Sequence, residues 1–169
     1  MKRLLLVLVV LGLITTPALA ADFKVGVVDL QKALNLSVAG KDAKEKIKVK
    51  FMSMDAEVKT LEAELTKLKE SAEKQAMALS EKARTAKERE YQQKVKDYQR
   101  FKKDAQDELQ REDAEFTRVI IEGLLKTAQG LGSKNGYTVI LEKTKSAVIF
   151  SDKSVDLTDQ LIKAFDAKK

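Results

Sequence analysis

Cysteine and histidine are both absent from the 169-residue sequence. Without cysteine, no disulfide can cross-link the fold and no thiol can act as a nucleophile. Without histidine, the usual general base is missing. The absence of both residue types also removes the common zinc ligands and the Ser/His and Cys/His pairs of nucleophilic catalysis. No carboxylate or lysine constellation marks an active site in their place. We therefore expect no enzymatic activity, no metal site and no cofactor.

Proline and glycine are scarce, and their distribution is uneven. One proline and seven glycines occur in the whole sequence, and the 82 residues between Gly40 and Gly123 contain neither. This span is rich in Ala, Glu, Lys, Leu and Gln, which are strong helix formers. It predicts either one helix of about 120 Å or two antiparallel helices of about 60 Å each.

A narrow apolar stripe runs along the first half of this span. Its members recur three and four residues apart, which is typical of a coiled-coil seam. The stripe requires a partner helix, which could come from the same chain, from another subunit or from a bound client protein. The predicted seam consists of Phe51, Met54, Val58, Leu61, Leu65 and Leu68.

Charge favours a fold-back of the same chain. Residues 41–50 carry five lysines, whereas residues 104–115 are mostly acidic, and a reversal near residue 80 would bring the two stretches together. Exposed ion pairs contribute only about 0.2 to 1 kcal/mol each, so they set the register more than the stability. We predict the turn at 77–83, where Ser80 followed by Glu81 can cap the second helix. The seam thins beyond Leu68, which predicts a stiff base and a loosely held tip.

The N-terminus has the pattern of a secretory signal peptide. Lys2 and Arg3 precede an apolar run from Leu4 to Ile14, which is too short to span a bilayer, and Ala18-Leu19-Ala20 is a cleavage site. We predict a mature chain that begins at Ala21. It would carry 30 basic and 26 acidic residues, an excess too small to indicate nucleic-acid binding.

Short strands and one short helix are predicted outside the helical span. They are a strand over Phe23–Leu30, a hairpin of Tyr137–Glu142 with Ala147–Phe150, and a helix over Thr158–Ala167. These elements make a poor core alone, while Phe116–Leu131 is apolar on more than one side. We therefore predict oligomerisation through the strand-bearing end. The predicted interface residues are Val25, Val27, Val139, Leu141, Val148 and Phe150, which also serve as sheet core.

The outer half of the predicted hairpin is basic. Residues 82–103 contain nine basic residues and only three acidic ones. This surface would therefore attract acidic proteins or anionic lipid and lipopolysaccharide headgroups. The alternative is a solvated helix surface that only keeps the protein soluble. Met52 and Met77 are predicted apolar contacts for a client. The predicted basic contact residues are Lys82, Arg84, Lys87, Arg89, Lys94, Lys96, Arg100, Lys102 and Lys103.

Several segments together resemble the Skp (OmpH) family of periplasmic chaperones, over essentially the whole mature chain. They are KVGVVDLQKAL (24–34), SVAGKDAKEKI (37–47), LSEKARTAKEREYQQKVKDYQRF (79–101) and YTVILEKTKSAVIFSDKSVDLTDQLIKAF (137–165). The resemblance implies a homotrimer, in which strands from three chains form a β-body and three helical hairpins surround a cavity. It also implies ATP-independent holding of unfolded outer-membrane β-barrel proteins.

Together these features predict an α+β fold in which a long antiparallel helical hairpin projects from a small β-body shared between subunits. The predicted divisions are a signal peptide over 1–20, a β-body over 21–36 and 130–169, and a hairpin over 37–129. A periplasmic holdase is the leading functional hypothesis. The alternative is a structural or adaptor coiled coil of the envelope that binds lipid or lipopolysaccharide through its basic outer arms.

Overall fold

The computed structural model describes residues 23–75, 79–144 and 148–168. Two long helices form an arm, and the short elements pack around the far end of the second long helix. We call this packed end, residues 23–40 and 116–168, the base, and we call residues 57–103 the outer arm. In chain order the elements are β1 (Val25–Val28), α1 (Leu30–Leu36), α2 (Val38–Gln75), α3 (Glu81–Lys134), β2 (Val139–Glu142), a 3-10 turn (Lys153–Val155) and α4 (Thr158–Asp166).

Helices α2 and α3 run antiparallel along the arm. Their 38 and 54 residues correspond to about 57 and 81 Å at 1.5 Å per residue. Contacts across the arm fix the register, since Lys50 lies between Glu108 and Glu112, and the Tyr98 hydroxyl donates a hydrogen bond to Glu62. The predicted fold-back is confirmed. The predicted pairing of the lysine-rich and acidic stretches is confirmed at Lys50.

Helix α3 begins and ends at residues suited to capping. The Ser80 hydroxyl accepts a hydrogen bond from the backbone N–H of Ala83 at 3.4 Å, and Glu81 lies in the first turn, as predicted. At the other end, Gly136 follows the C-cap Asn135 with φ of +68°, a left-handed conformation that glycine adopts without steric cost. Residues 77 and 78 of the predicted turn lie outside the described residues.

The hydrophobic core lies in the base. Leu124 of α3 and Leu161 of α4 are completely buried, and each contributes about 1.5 to 3 kcal/mol through burial. Side chains from β1, α1, α3 and α4 meet in this one cluster. Its buried members are Val28, Ala33, Ile120, Leu124, Ala128, Leu157 and Leu161.

The buried Thr158 of the base joins distant segments through its hydrogen bonds. The Thr158 hydroxyl accepts from the backbone N–H of Asp29 at 2.9 Å and donates to Asp156 Oδ1 at 2.5 Å. Asp29 Oδ1 accepts from the backbone N–H of Lys32 at 2.7 Å, so Asp29 caps α1. The sequence had predicted a strand that reaches Leu30. The cap at Asp29 explains why the strand ends at Val28 instead.

Helix α2 begins immediately after α1 at a close junction. A Cβ on Gly40 would lie 1.7 Å from the carbonyl oxygen of Leu34, so no larger residue fits without moving the backbone. The buried Ser37 hydroxyl accepts from the backbone N–H of Gly40 at 3.2 Å, and Asp166 Oδ1 accepts from that of Val38 at 3.0 Å. The C-terminal helix α4 therefore helps to anchor the start of the arm.

The sheet differs from the prediction. Strand β2 pairs with β1 in parallel, Val25 opposite Val139 and Val27 opposite Leu141, and residues Val148–Phe150 form no strand. The predicted hairpin is therefore wrong for these residues, while residues 145–147 lie outside the described ranges. The long crossover through the helical arm returns the chain beside β1, which supplies β2 with hydrogen-bond partners. On its other edge, β1 accepts from the backbone N–H of Leu157 at 2.8 Å.

Burial decreases sharply from the base to the arm. All residues of α2 are described, and none of them is buried. In α3, Ala105 is the one buried residue that lies in the arm. The other buried residues of α3 all lie in the base, at Ile120 or C-terminal to it. This distribution agrees with the prediction that packing energy is concentrated at the base.

Candidate functional site

The seam of the arm is half-buried along most of its length. Met54, Val58, Leu61, Leu65 and Leu68 are all partly buried at the surface of α2 that faces α3. Phe51 differs, because 55% of its surface is exposed, so it is less buried than the other predicted seam residues. The seam thus leaves apolar surface accessible all the way to Leu68.

An ion cluster occupies the arm at the level of Phe51. Lys50 Nζ lies 2.5 Å from Glu108 Oε1 and also binds Glu112, and its side chain is only 27% exposed. Hydrogen bonds from Lys50 lower the pKa of Glu108, and the same hydrogen bonds with Glu108 and Glu112 raise the pKa of Lys50.

A cleft of about 230 Å³ opens between the two helices of the outer arm. A hydrogen bond from the Tyr98 hydroxyl to Glu62 spans the cleft on one side and raises the pKa of Tyr98. An ion pair spans another side, where Lys94 Nζ lies 3.8 Å from Glu64 Oε2. Charged side chains of α3 thus stand opposite apolar side chains of α2. The cleft is lined by Leu61, Glu64, Leu65, Leu68, Glu90, Lys94, Asp97 and Tyr98.

The nine predicted basic contact residues all lie on α3 in the outer arm. All except the half-buried Lys87 are exposed. Lys94 pairs with Glu64, Arg100 approaches Asp97 at 3.9 Å, and Lys102 Nζ lies 5.7 Å from the centre of the Tyr98 ring. The other six form no ion pair with any residue in the described ranges; they are Lys82, Arg84, Lys87, Arg89, Lys96 and Lys103.

Four of these cations form a continuous stripe. Lys82, Arg89, Lys96 and Lys103 follow one another at intervals of seven residues, so they share one face of a coiled-coil helix. Each is exposed, whereas Tyr91 and Tyr98 on the opposite face of α3 are half-buried against α2. The stripe is therefore directed to solvent, away from the seam.

The base contains both paired and unpaired charges. Arg118 of α3 donates to Glu115 at 2.6 Å and to Glu122 at 2.8 Å, and these hydrogen bonds raise its pKa above the usual arginine range. Lys32 binds Asp159 at 2.9 Å, which raises the pKa of Lys32. Six lysines of the base nevertheless form no ion pair with a residue of the described ranges, so unpaired positive charge occurs in the base as well as in the outer arm; they are Lys24, Lys126, Lys134, Lys153, Lys163 and Lys168.

Apolar side chains are also exposed on α2 near the base. Met52, a predicted client contact, is 60% exposed, and Val49, which the sequence analysis did not select, is 58% exposed. The spacing of Val49 does not fit the seam, and this mismatch was the signal in the sequence that Val49 would be exposed. Met77 lies outside the described residues.

The predicted assembly residues have unequal exposure. Val27 is 3% exposed and belongs to the chain's own core, so it has no surface left for a neighbouring subunit. Val25, Val139 and Val148 are half-buried, while Leu141 and Phe150 are exposed. Ile149, which the prediction omitted, is 100% exposed and lies in the same apolar run as Phe150.

Two negative findings concern the described ranges alone. Within 23–75, 79–144 and 148–168, no helix is long and apolar enough to cross a membrane. The same ranges contain no group of three or more acidic residues arranged to hold a metal ion.

The arrangement of a small base and a long antiparallel arm is matched by a known protein family. The model of the family described as outer membrane protein (OmpH-like) matches residues 24–165, which include both strands and every helix through most of α4. The chain belongs to the OmpH-like family. No curated protein matches it by sequence.

A solved structure of an OmpH-like protein has the same fold. The crystal structure of a candidate outer membrane chaperone (OmpH-like) from Caulobacter crescentus superimposes with a TM-score of 0.81 at 20% sequence identity. The match covers 91% of this chain and 88% of that chain. At this sequence identity, the superposition establishes that the two proteins share a fold. They share it although four in five aligned residues differ.

Proposed function

We propose that this OmpH-like chain is an ATP-independent holdase of the periplasm. It binds unfolded outer-membrane β-barrel proteins and prevents their aggregation on the way to the outer membrane. The observation that carries this proposal is the arm itself, which combines a partly exposed apolar seam with unpaired cations. Such a surface makes many weak contacts, and a client can leave it without an energy source.

Export is part of the proposal. The signal peptide over 1–20, with cleavage after Ala20, would deliver the mature chain to the periplasm. These residues lie outside the described ranges, and the sequence pattern supports the proposal. The Caulobacter crescentus relative, named as an outer membrane chaperone, agrees with this compartment.

The working form is a homotrimer whose subunits meet at the base. Exposed apolar residues of β2 and of the segment that follows it, including Leu141, Ile149 and Phe150, support contact at this end. Val25, Val139 and Val148 are half-buried and complete the proposed interface. The three arms would then project in one direction around a cavity that holds the client.

The holdase activity can be tested by light scattering. A urea-unfolded outer-membrane β-barrel protein is diluted into buffer that contains the mature chain and no nucleotide. We expect scattering to stay at baseline when the chain is in excess, whereas a non-chaperone protein of similar isoelectric point gives no protection. Scattering equal to that in buffer alone would contradict the proposal.

The unpaired stripe favours one second candidate function. An envelope adaptor could bind anionic lipid or lipopolysaccharide headgroups through Lys82, Arg89, Lys96 and Lys103. Replacing these four residues by glutamine should abolish sedimentation with anionic vesicles at low salt, while binding to neutral vesicles stays negligible. Strong vesicle binding without any protection of the unfolded client would favour the adaptor over the holdase.

A further inference from the structure

The C-terminal helix α4 connects the sheet to the start of the arm. Where α4 begins, the backbone N–H of Leu157 donates to the carbonyl oxygen of Val27 in β1 at 2.8 Å. The Thr158 hydroxyl accepts from the backbone N–H of Asp29 at 2.9 Å. The nine residues of α4 then extend about 14 Å at 1.5 Å per residue. One end of this short helix is therefore fixed to the base.

The other end of α4 is attached to α3. The Phe165 ring packs directly on the α3 backbone, since a Cβ on Gly123 would lie 2.7 Å from Cε2 of the ring. Lys168 Nζ donates to the hydroxyl of Thr127 at 3.1 Å, and Thr127 is buried. The last turn of α4 is thus held against one helix of the arm by packing and by a hydrogen bond.

The same turn of α4 also caps α2. Asp166 Oδ1 accepts from the backbone N–H of Val38, the first residue of α2, at 3.0 Å, although the two residues are 128 positions apart. The buried Ser37 hydroxyl accepts from the backbone N–H of Gly40 at 3.2 Å. Both bonds satisfy N–H groups that the start of a helix leaves without partners, and a carboxylate there is also favoured by the helix dipole. We call three residues of the chain's end the C-terminal brace: Phe165, Asp166 and Lys168.

Attachment of both helices restricts how the arm can swing. Because α3 continues from the arm into the base, a swing in the plane of the two helices requires α2 to slide along α3. Packed helices lie about 8 to 10 Å apart, so a swing of about 10° needs about 1.5 Å of sliding. That displacement would lengthen the 3.0 Å contact between Val38 and Asp166 beyond hydrogen-bond range.

We propose that the C-terminal brace limits the swing of the arm, and that Asp166 is a positioning residue that acts through the first residue of α2. A swing of about 10° would move the far end of α2, about 57 Å away, by about 10 Å. The brace therefore keeps the outer arm in a defined place relative to the base. Its effect on a client rests on the proposed holdase function, because arms that spread apart would enclose the client less completely.

The test removes one hydrogen bond from either side. Asp166→Ala removes the acceptor. Val38→Pro removes the donor, and proline suits the first position of a helix, after a residue such as Ser37 with φ of −63° and ψ of 154°. The matched control is Asp159→Ala, which breaks the exposed ion pair of α4 with Lys32 and leaves α2 untouched.

The arm's position is measured by pulsed electron spin resonance in the full mature chain. One spin label replaces Gln31 in α1 and the other replaces Lys67 in the outer arm, and both positions are exposed. The chain has no native cysteine, so introduced cysteines are labelled specifically. Labelled chains are refolded with an excess of unlabelled chains, so that distances within one chain dominate. Amide hydrogen exchange and protection of a urea-unfolded outer-membrane β-barrel protein from aggregation are measured on the same variants.

We expect Asp166→Ala and Val38→Pro each to broaden the distance distribution by roughly 5 to 10 Å. The double variant should broaden it no further, because both substitutions remove the same contact. Asp166→Ala should also speed amide exchange in the first turn of α2 about fivefold, the change expected for the loss of a helix cap. Both variants should protect the unfolded client less than the native chain does, and Asp159→Ala should behave as the native chain.

Native distance distributions in both brace variants would overturn the inference, and Val38→Pro decides it alone if Asp166→Ala does not fold. Equal broadening by Asp159→Ala would also overturn it, because α4 would then act by stabilising the base as a whole. Broadened distances with undiminished protection would refute the effect on the client. If the native chain itself protects no client, the proposed function fails, whereas the distances still decide whether the brace limits the swing.

Discussion

At the scale of single residues, Lys50 determines how the two helices of the arm meet. Its amino group bridges Glu108 and Glu112, one turn apart on α3, and thereby holds one register of the hairpin. One lysine of α2 therefore links two carboxylates of α3 across the arm.

Stability of this contact should depend on pH. The pKa of Glu108 is lowered in the folded chain from the usual 4.5, so its stabilisation is fully present above that value and is lost as pH falls through the depressed folded value. We expect Lys50→Met to lower the thermal midpoint at neutral pH and to have a smaller effect at pH well below 4.5.

The control for this experiment is Lys59→Met. Lys59 pairs with Asp55 on its own helix and is 71% exposed, so its removal should have little effect at either pH. Thermal unfolding followed by circular dichroism provides the measurement. An equal loss of stability for Lys50→Met at both pH values would show that the bridge to α3 is not what Lys50 contributes.

At the scale of elements, the arm is a two-helix coiled coil with a weakly packed outer part. Leu61, Leu65 and Leu68 supply the apolar side of the seam, but Glu90, Lys94 and Asp97 stand opposite them around the cleft. Few buried contacts therefore hold the helices together far from the base. This arrangement leaves apolar surface within reach of a bound polypeptide.

Substitution of a seam residue should separate the helices without disturbing the base. We expect Leu61→Asp to cost roughly 1 to 3 kcal/mol, to speed amide hydrogen exchange in the outer arm and to reduce holding of the client. The matched control is Ala63→Asp, an exposed position on the same turn. If Leu61→Asp became monomeric while Ala63→Asp did not, the seam would be a subunit interface and not an intrachain contact.

The helices could be predicted from the sequence much better than the sheet. The absence of glycine and proline, the seam spacing and the Ser80 cap are local signals, and each led to the observed hairpin. The pairing of β1 with β2 depends on residues more than a hundred positions apart, which alternation within one strand cannot reveal. Phe51 was assigned to the seam because its spacing fits, and spacing alone does not predict that 55% of its surface stays exposed.

At the scale of the whole molecule, the single chain leaves its base incomplete. Ile149 is fully exposed, Phe150 is 85% exposed, and both follow a two-stranded sheet that is too small to be stable alone. Completion by other copies of the chain would bury these side chains and bring the arms together. We propose that such an oligomer encloses one unfolded client.

Native mass spectrometry tests this claim most directly. Spectra are recorded for the mature chain from Ala21 onward, alone and after dilution of a urea-unfolded outer-membrane β-barrel protein, with Phe150→Asp as the variant expected to weaken assembly. We predict a trimer that takes up one unfolded chain, and a loss of both trimer and uptake in the variant. A native chain that remains a monomer or dimer and ignores the unfolded protein would contradict the account.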